Sequence, residues 1–157
     1  NRHMEGVTPT GWVAMQQYSE VQQKRIKTHI NGDVVSLSFP KDKEDTINKQ
    51  RTGLGSSPNF IHSLDASAMT RTINKATQVG IVDFAMVHDS YGTHSSMMPQ
   101  LSNILREEFV SMYEEHDVLD ELRTHAIKTL GTEDVPLPPS KGNLDIRNVL
   151  KSDYFFA

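Results

Sequence analysis

Residues 80–94 read Gly80-Ile-Val-Asp-Phe-Ala-Met-Val-His-Asp-Ser-Tyr-Gly-Thr-His94, and this stretch decides the fold. Its apolar run over residues 81–87 is rich in β-branched and aromatic side chains, which predicts a short, largely buried strand. His88, Asp89 and Ser90 interrupt that run, and the residues that follow can return as a second strand. We therefore expect a β-hairpin with His88 and Asp89 at its tip.

The Asp89 carboxylate at this tip has two interpretations. Aspartate in a tight turn often accepts hydrogen bonds from nearby backbone N–H groups, and it then has only a structural role. Alternatively, a carboxylate held at the end of a rigid strand is a suitable ligand for a hard divalent cation such as Mg²⁺. The hairpin alone does not decide between the two.

Composition limits the classes of protein that the chain can represent. The 157 residues include no cysteine, which excludes disulfides and thiolate metal sites. No apolar run approaches the length of a membrane span, so we expect no membrane partner. The net charge of −4 argues against a simple electrostatic binder of nucleic acid. Because residues 101–157 hold eleven acidic side chains against six basic ones, any nucleic-acid contact is expected nearer the N-terminus.

Alternating apolar and polar residues flank Asn31-Gly32 between residues 19 and 40. A type I′ turn needs two residues that tolerate positive φ, so this pattern predicts a β-hairpin. The ribbon is either a structural element or a DNA-binding one, since a two-stranded ribbon fits a major groove and basic side chains bind phosphates or guanine edges. The basic side chains of its first strand are Lys24, Arg25, Lys27 and His29.

In the segment between the two hairpins, the sequence predicts a long helix only from about residue 59. Residues 41–46 are predicted to be a charged connector and residues 46–51 a short helix, and Gly53-Leu-Gly-Ser-Ser-Pro58 predicts a break. Asn59 suits the N-cap of a helix that runs to about residue 79. His62 and Asp65 lie on one face of that helix, where the carboxylate could fix the imidazole tautomer; a purely structural histidine is the alternative.

Three further helices are predicted in the C-terminal part. One starts at Met97/Met98-Pro99 and has a core face and an outward face. The core face holds Leu101, Ile104, Leu105, Phe109 and Met112, and the outward face holds Arg106, Glu107, Glu108, Glu114 and Glu115. The next runs from an N-cap at Asp117 to Gly131, with a core face of Val118, Leu122, Ala126, Ile127 and Leu130. A short terminal helix covers residues 144–150 and leads into an aromatic tail. The fold class is therefore α+β, with β-hairpins packed on several α-helices.

Four segments together resemble one protein family. Val87-His-Asp-Ser-Tyr-Gly-Thr93 resembles motif C in the palm domain of the single-subunit DNA-directed RNA polymerases of bacteriophages and mitochondria. Asn59-Phe-Ile-His-Ser-Leu-Asp-Ala-Ser67 resembles the family segment whose histidine contacts the incoming nucleotide or the primer-template, and Pro139-Ser-Lys-Gly-Asn-Leu-Asp-Ile146, with the aromatic end of the chain, resembles the family's closing segment. The Asn31-Gly32 hairpin occupies the position of the family's promoter-reading hairpin, and all four segments are in the family order.

The resemblance implies particular roles for residues of this chain. Asp89 would be a catalytic, metal-binding aspartate, and the second of the two metal aspartates would lie on a strand that precedes this chain. Two Mg²⁺ ions would then serve nucleotidyl transfer. The implied substrate or nucleic-acid contacts are His62, His88, Ser90 and Tyr91. The tail of Phe155, Phe156 and Ala157 would fold back toward the active site.

The same resemblance implies a domain organisation. Residues 1–5 are expected to be a tag remnant and start, residues 6–57 a fingers-derived segment with the promoter-reading hairpin over about 19–40, and residues 58–157 a C-terminal palm segment. The expected partners are template and promoter DNA, the RNA product, ribonucleoside triphosphates and the rest of the polymerase chain. Unpaired strand edges make self-association of the fragment possible. The expected location is the cytoplasm of an infected bacterium, in preference to the mitochondrial matrix.

With one metal aspartate, the isolated chain is expected to be inactive as a polymerase. Two alternatives stay open at this point. One is an autonomous metal-dependent nuclease that uses His62, Asp65, His88, Asp89 and His94. The other is a non-catalytic DNA-binding module built on the Asn31-Gly32 hairpin.

Overall fold

The computed structural model describes residues 4–155, with the backbone but not the side chains of residues 44 and 45. Helices and antiparallel β-hairpins make an α+β fold, as predicted. The strands are β1 (Met4–Val7), β2 (Val13–Gln16), β3 (Ser19–Ile30), β4 (Asp33–Ile47), β5 (Ala85–Val87) and β6 (Ser90–Gly92). The α-helices are α1 (Lys49–Gln78), α2 (Met98–Glu115) and α3 (Val118–Leu130), and 3₁₀-helices cover Ser95–Met97 and Ile146–Lys151.

The chain divides into two compact units. Its described strands pair as three two-stranded sheets, β1–β2, β3–β4 and β5–β6, of which the last two are antiparallel. One unit contains Met15–Ser57, and the other contains Glu5–Ala14 and the chain from Pro58 onward. None of the helices in the described part of the chain is long and apolar enough to cross a membrane.

The first unit is dominated by the long β3–β4 hairpin. Asn31 and Gly32 form its turn with positive φ angles of 53° and 92°, which confirms the predicted hairpin. The ribbon is longer than predicted, because Lys41 and Asp42 pair with residues of β3 and β4 continues to residue 47. The prediction of a charged connector over residues 41–46 is therefore wrong. Both faces of this two-stranded ribbon are largely exposed, so charged side chains suit either face.

Helix α1 begins at Lys49, so the predicted break over residues 53–58 and the predicted N-cap at Asn59 are wrong. Asn48 caps the helix instead, and its side-chain oxygen accepts a hydrogen bond from the Arg51 N–H at 2.9 Å. The glycine at position 55 allows close approach of the Tyr18 ring, since a Cβ there would lie 2.8 Å from the Tyr18 hydroxyl oxygen. Packing and capping thus override the local preference of glycine and proline.

The second unit has its core between α1 and α2. Leu64, Ala68 and Ala76 of α1 are buried, as are four apolar residues of α2 on the predicted face: Leu101, Ile104, Leu105 and Met112. Arg71 crosses between the two helices, and its guanidinium forms ion pairs with Glu108 at 3.1 Å and Glu115 at 2.8 Å. Glu115 is exposed, as predicted, whereas Glu108 was also expected to face solvent but is mostly covered beside Arg71.

The ends of α2 and α3 follow the sequence signals. Helix α2 begins at Met98 with proline in its first turn. The Asp117 side chain accepts a hydrogen bond from the Asp120 N–H, and Gly131 ends α3 in the left-handed conformation at φ 68°. However, no residue of α3 is fully buried, so its predicted core face is only partly covered. The predicted terminal helix is a 3₁₀-helix over Ile146–Lys151.

Candidate functional site

The β5–β6 hairpin presents His88 and Asp89 at its tip, as predicted. The two strands pair in three positions, with Val87 opposite Ser90 next to the turn. His88 has a positive φ of 53°, a conformation that a short polar residue in a tight turn tolerates better than a β-branched one. Asp89 follows it, and both side chains are exposed.

One face of this hairpin is packed on the core of the second unit. Phe84, Met86 and Tyr91 contact a buried cluster formed by Ala76, Ile81, Leu101 and Ile104. Because side chains alternate along a strand, Val87 points to the other face and is 65% exposed. The run over residues 81–87 was predicted to be a largely buried strand, but the strand covers only Ala85–Val87 and most of the run is exposed, since a two-stranded hairpin covers the core with one face only. The anchored face fixes the position of the turn.

The turn borders a cavity of about 560 Å³ that also includes one face of α1. Its lining residues are His62, Asp65, Ala66, Met69, His88 and Asp89. Two predicted contact histidines and the predicted metal aspartate thus meet at one concave surface. In the described chain, no hydrogen bond or ion pair joins His62 to Asp65, so the structure gives no support for the proposed tautomer-fixing pair.

A second cavity of about 400 Å³ also borders the turn. Asp89 borders this cavity as well, together with Ser90, Tyr91, Met98, Leu101, Ser102, Leu105 and Phe155. The described end of the chain therefore lies next to the hairpin, and Phe155 makes an edge contact with Phe109 at 5.0 Å between ring centroids. The other two predicted tail residues, Phe156 and Ala157, lie outside the described residues.

Two tyrosines near the site, Tyr91 and Tyr113, have raised pKa values. Burial, followed by the negative charges of Asp65 and Asp89, raises the pKa of Tyr91 to about 12. Burial and then Asp65 also raise the pKa of Tyr113. Asp65 is therefore close enough to both phenols, and Asp89 to that of Tyr91, to act on them electrostatically.

The carboxylates of Asp65 and Asp89 have no hydrogen-bond or ion-pair partner among residues 4–155. An exposed, unpaired carboxylate fits a cation ligand better than a turn-stabilising group, which would accept backbone hydrogen bonds. Within that same described range, no group of three or more His, Asp or Glu side chains is arranged to hold a metal ion. Asp65 and Asp89 are thus two carboxylates with the chemistry of a cation ligand, and the described residues do not form a complete metal site around them.

In the first unit, the predicted DNA-binding residues divide between the two faces of the β3–β4 ribbon. Arg25, Lys27 and His29 lie on one face, and the first two pair with serines of β4. Lys24 pairs with Phe39 on the opposite face. Adjacent residues of a strand point in opposite directions, so a single surface cannot include all four basic side chains.

Comparison with known proteins identifies the family. The family model described as DNA-dependent RNA polymerase matches residues 1–137, which is most of the chain. The chain belongs to this polymerase family. It is 34% identical over 156 residues to the DNA-directed RNA polymerase of Enterobacteria phage K11, a match that covers 96% of this chain and 17% of the phage protein. T7 RNA polymerase of Escherichia phage T7 is 35% identical, with 96% of this chain and 18% of that protein covered.

A plant relative has a different length. The DNA-directed RNA polymerase 1A of Nicotiana tabacum is 36% identical over 156 residues, and the match covers 99% of this chain and 96% of the relative. The chain thus spans about a sixth of the phage polymerases but nearly all of this plant protein. Membership of the polymerase family favours the polymerase interpretation over both the nuclease and the stand-alone DNA-binding module.

Two features of this polymerase-family chain were missed in the sequence. Arg106 was expected to face solvent, but it is half buried and bonds to the C-terminal segment. Arg71 was given no role, although it joins α1 to α2. No local signal identifies either residue, because each partner lies more than thirty positions away along the chain.

Proposed function

We propose that this chain forms the C-terminal palm segment, with part of the fingers, of a DNA-directed RNA polymerase that transcribes DNA into RNA. One observation supports this most: an unpaired aspartate lies at the tip of a core-anchored hairpin and borders a cavity shared with His62 and Asp65. Family membership supplies the reaction class, and the hairpin supplies the carboxylate that metal-dependent nucleotidyl transfer needs.

Asp89 is the catalytic residue of this proposal and would bind Mg²⁺. When bound, a pair of such ions lowers the pKa of the attacking 3′-hydroxyl group and stabilises the departing pyrophosphate. Aspartate oxygens are the donors that Mg²⁺ prefers, and the exposed carboxylate needs no rearrangement to accept it. One carboxylate does not hold two ions, so a second aspartate would come from another part of the polymerase. The chain by itself is then expected to synthesise no RNA.

The other side chains that line the two cavities would bind and orient the substrate. His62 and His88 line the larger cavity with Asp89, where imidazole N–H groups can donate to a ribonucleoside triphosphate or to a nucleic-acid backbone. Ser90 and Tyr91 line the smaller cavity, which Asp89 also borders. A tyrosine hydroxyl is protonated at neutral pH, and the raised pKa of Tyr91, about 12, extends this to higher pH, so the group would serve as a hydrogen-bond donor and not as a base.

The β3–β4 ribbon is the proposed promoter-reading element. Arg25, Lys27 and His29 share one exposed face, which suits contact with phosphates and base edges in a DNA groove. Lys24 lies on the opposite face and is left out of this surface. The proposed location is the cytoplasm of a phage-infected bacterium.

The catalytic part of the proposal is tested in the complete polymerase that contains this chain. Asp89→Asn keeps the shape of the side chain but removes its charge, and RNA synthesis should fall by about a hundredfold to a thousandfold or more. Asp83→Asn is the matched control, since Asp83 is also exposed and lies on the same hairpin segment. Normal synthesis with Asp89→Asn would overturn the proposal, and metal-dependent DNA cleavage without synthesis would favour the nuclease.

The metal itself is tested on this chain with Mn²⁺ as the probe. Paramagnetic broadening of the amide signals of His88, Asp89 and Ser90 should appear in the wild-type chain and in Asp83→Asn. Asp89→Asn should abolish it. Equal broadening in all three proteins would show that the ion does not bind Asp89.

The DNA-binding part of the proposal is tested by substitutions in β3, with Lys24 of the same strand as the control. Each phosphate contact that is lost should lower the slope of log affinity against log salt by about one, so Arg25→Ala and Lys27→Ala should flatten that slope. Lys24→Ala should leave it unchanged, because that side chain faces the other way. Equal effects at all three positions would contradict a one-sided DNA surface.

A further inference from the structure

Arg106 of α2 binds the backbone of the C-terminal segment. Its Nη1 donates to the Val149 carbonyl oxygen at 2.9 Å and also to the Ser152 carbonyl oxygen. The Val149 carbonyl also accepts a hydrogen bond from the Ser152 N–H at 3.4 Å, and Ser152 is the C-cap that follows the 3₁₀-helix Ile146–Lys151. The guanidinium thus caps this end from a neighbouring helix.

The same guanidinium also lies over the Phe155 ring. Its central carbon is 5.5 Å from the ring centroid, within the range of a cation–π contact. Phe109, on the next turn of α2, contacts the other part of this ring edge-on at 5.0 Å. Phe155 is therefore held against α2 by two side chains from one face of that helix. It lines the cavity that Asp89 and Ser90 also border.

These contacts connect one arginine to the wall of the candidate active site. From them we infer that Arg106 is a positioning residue, which fixes the C-terminal segment so that Phe155 closes the cavity beside Asp89. This inference rests on the proposed polymerase function for its consequence in catalysis. The segment from Ser152 to Phe155 has no regular secondary structure, so without Arg106 its backbone regains conformational freedom.

The chemistry requires arginine at this position. A planar guanidinium can donate to carbonyl oxygens in its plane while its face stacks on an aromatic ring. Lysine keeps the charge but is a point donor on a flexible stem, so it should retain only part of the effect. Methionine keeps much of the apolar stem and removes the charge and every donor.

The structure also provides a matched control. Arg147, within the 3₁₀-helix, donates to Glu114 of α2 at 2.6 Å. This ion pair joins the same two elements as Arg106 does, but it is on the surface and is not among the contacts of Phe155. Loss of Arg147 therefore removes one ion pair between α2 and the 3₁₀-helix and leaves the Phe155 contacts in place.

The first test measures release of Phe155 from this chain by carboxypeptidase A, followed by mass spectrometry. The rate of release follows the population in which the tail is open. We expect Arg106→Met to accelerate release about tenfold or more, Arg106→Lys to lie between, and Arg147→Met to stay near wild type. Equal rates for Arg106→Met and Arg147→Met would overturn the inference.

The second test measures nucleotide addition by the complete polymerase. Arg106→Met should lower kcat several-fold with promoter DNA affinity unchanged, Arg106→Lys should recover part of the loss, and Arg147→Met should retain the wild-type kcat. Unchanged kcat in Arg106→Met, beside an inactive Asp89→Asn, would overturn the inference and leave the proposed function intact. Full activity of Asp89→Asn would refute the proposed function instead, and the protease test would still judge the Arg106 contacts. If Arg106→Met fails to fold, Arg106→Lys against Arg147→Met decides both tests.

Discussion

Gly53→Ala and Gly55→Ala are a matched pair of substitutions in the first turns of α1. Alanine in a helix interior is more stable than glycine by about 0.5–1 kcal/mol, because glycine loses more backbone entropy on folding. A methyl group at position 53 would have no neighbour within 4 Å. At position 55 it would lie 2.8 Å from the Tyr18 hydroxyl oxygen and 3.0 Å from ring atom Cε2. The two substitutions therefore share the entropic gain and differ in the clash.

The magnitudes follow from these distances. Gly53→Ala should raise the free energy of unfolding by about 0.5–1 kcal/mol. Gly55→Ala should gain the same amount and lose about 1–3 kcal/mol as the Tyr18 ring is displaced, so its net effect should range from about zero to about 2.5 kcal/mol destabilising. In a Tyr18→Ala background the clash is absent, and Gly55→Ala should then be stabilising, like Gly53→Ala.

The assay is urea unfolding followed by far-UV circular dichroism, with amide hydrogen exchange over residues 50–58 as a local measure. Exchange should slow in Gly53→Ala, since it reports the stability of these turns directly. If Gly53→Ala fails to stabilise, or if the two alanines act alike in the presence of Tyr18, the continuous helix through this segment is refuted.

Three further predictions concern the second unit. Leu101→Ala should destabilise the protein by about 2–5 kcal/mol in urea unfolding, because this 1% exposed side chain belongs to the cluster under the hairpin; a loss below about 1 kcal/mol would contradict that packing. Hydrogen bonds to the Glu115 carboxylate, the one from Arg71 having the largest effect, lower the pKa of Glu115 to about 2. The contribution of Glu115 to stability is therefore present above pH 4.5 and lost as the pH falls toward 2. The Glu115→Gln variant should accordingly show a shallower fall of the urea midpoint over this range, and an unchanged pH profile would exclude the contribution. Asp89→Asn should lower the pKa of Tyr91 from about 12, because it removes a nearby negative charge, and ultraviolet titration of the phenolate would show no such shift if the two groups were far apart.

Features decided by neighbouring residues were predictable from the sequence. The turn at Asn31-Gly32 depends on two residues that accept positive φ, and the ends of α3 depend on Asp117 and Gly131. The tip position of Asp89 follows in the same way from the interruption of an apolar run. These signals act within a few positions, so no knowledge of the distant chain is needed.

Features decided by distant contacts were not predictable. The start of α1 depends on Tyr18, which lies against Gly55 although it is more than thirty positions away. Arg106 was expected to be solvated because its partners, Val149 and Ser152, follow more than forty positions later. A glycine-rich segment or a charged residue on a helix therefore has no single meaning until its tertiary neighbours are known.

The candidate site shows the same division. The motif resemblance selected His62 and Asp89 one by one, and their meeting around one cavity depends on how the hairpin packs on α1. Grouping Lys24 with Arg25 and Lys27 was a separate error, since strand alternation alone separates the first from the other two. That part of the surface was open to correct prediction.

The three-pair ladder of the β5–β6 hairpin has a consequence for how this protein tolerates changes in length. One residue inserted between Met86 and Asp89 would reverse which side chains face the core and turn Asp89 away from its cavity. At the opposite strand, Gly92 leaves no room for compensation, because a Cβ there would lie 3.0 Å from the Ala85 carbonyl oxygen. The Asn31-Gly32 turn ends a long exposed ribbon, so a peptide tag inserted there would lengthen a loop without shifting any core residue. For folding, the Asn31-Gly32 turn can change in length, whereas the His88-Asp89 turn has a fixed length.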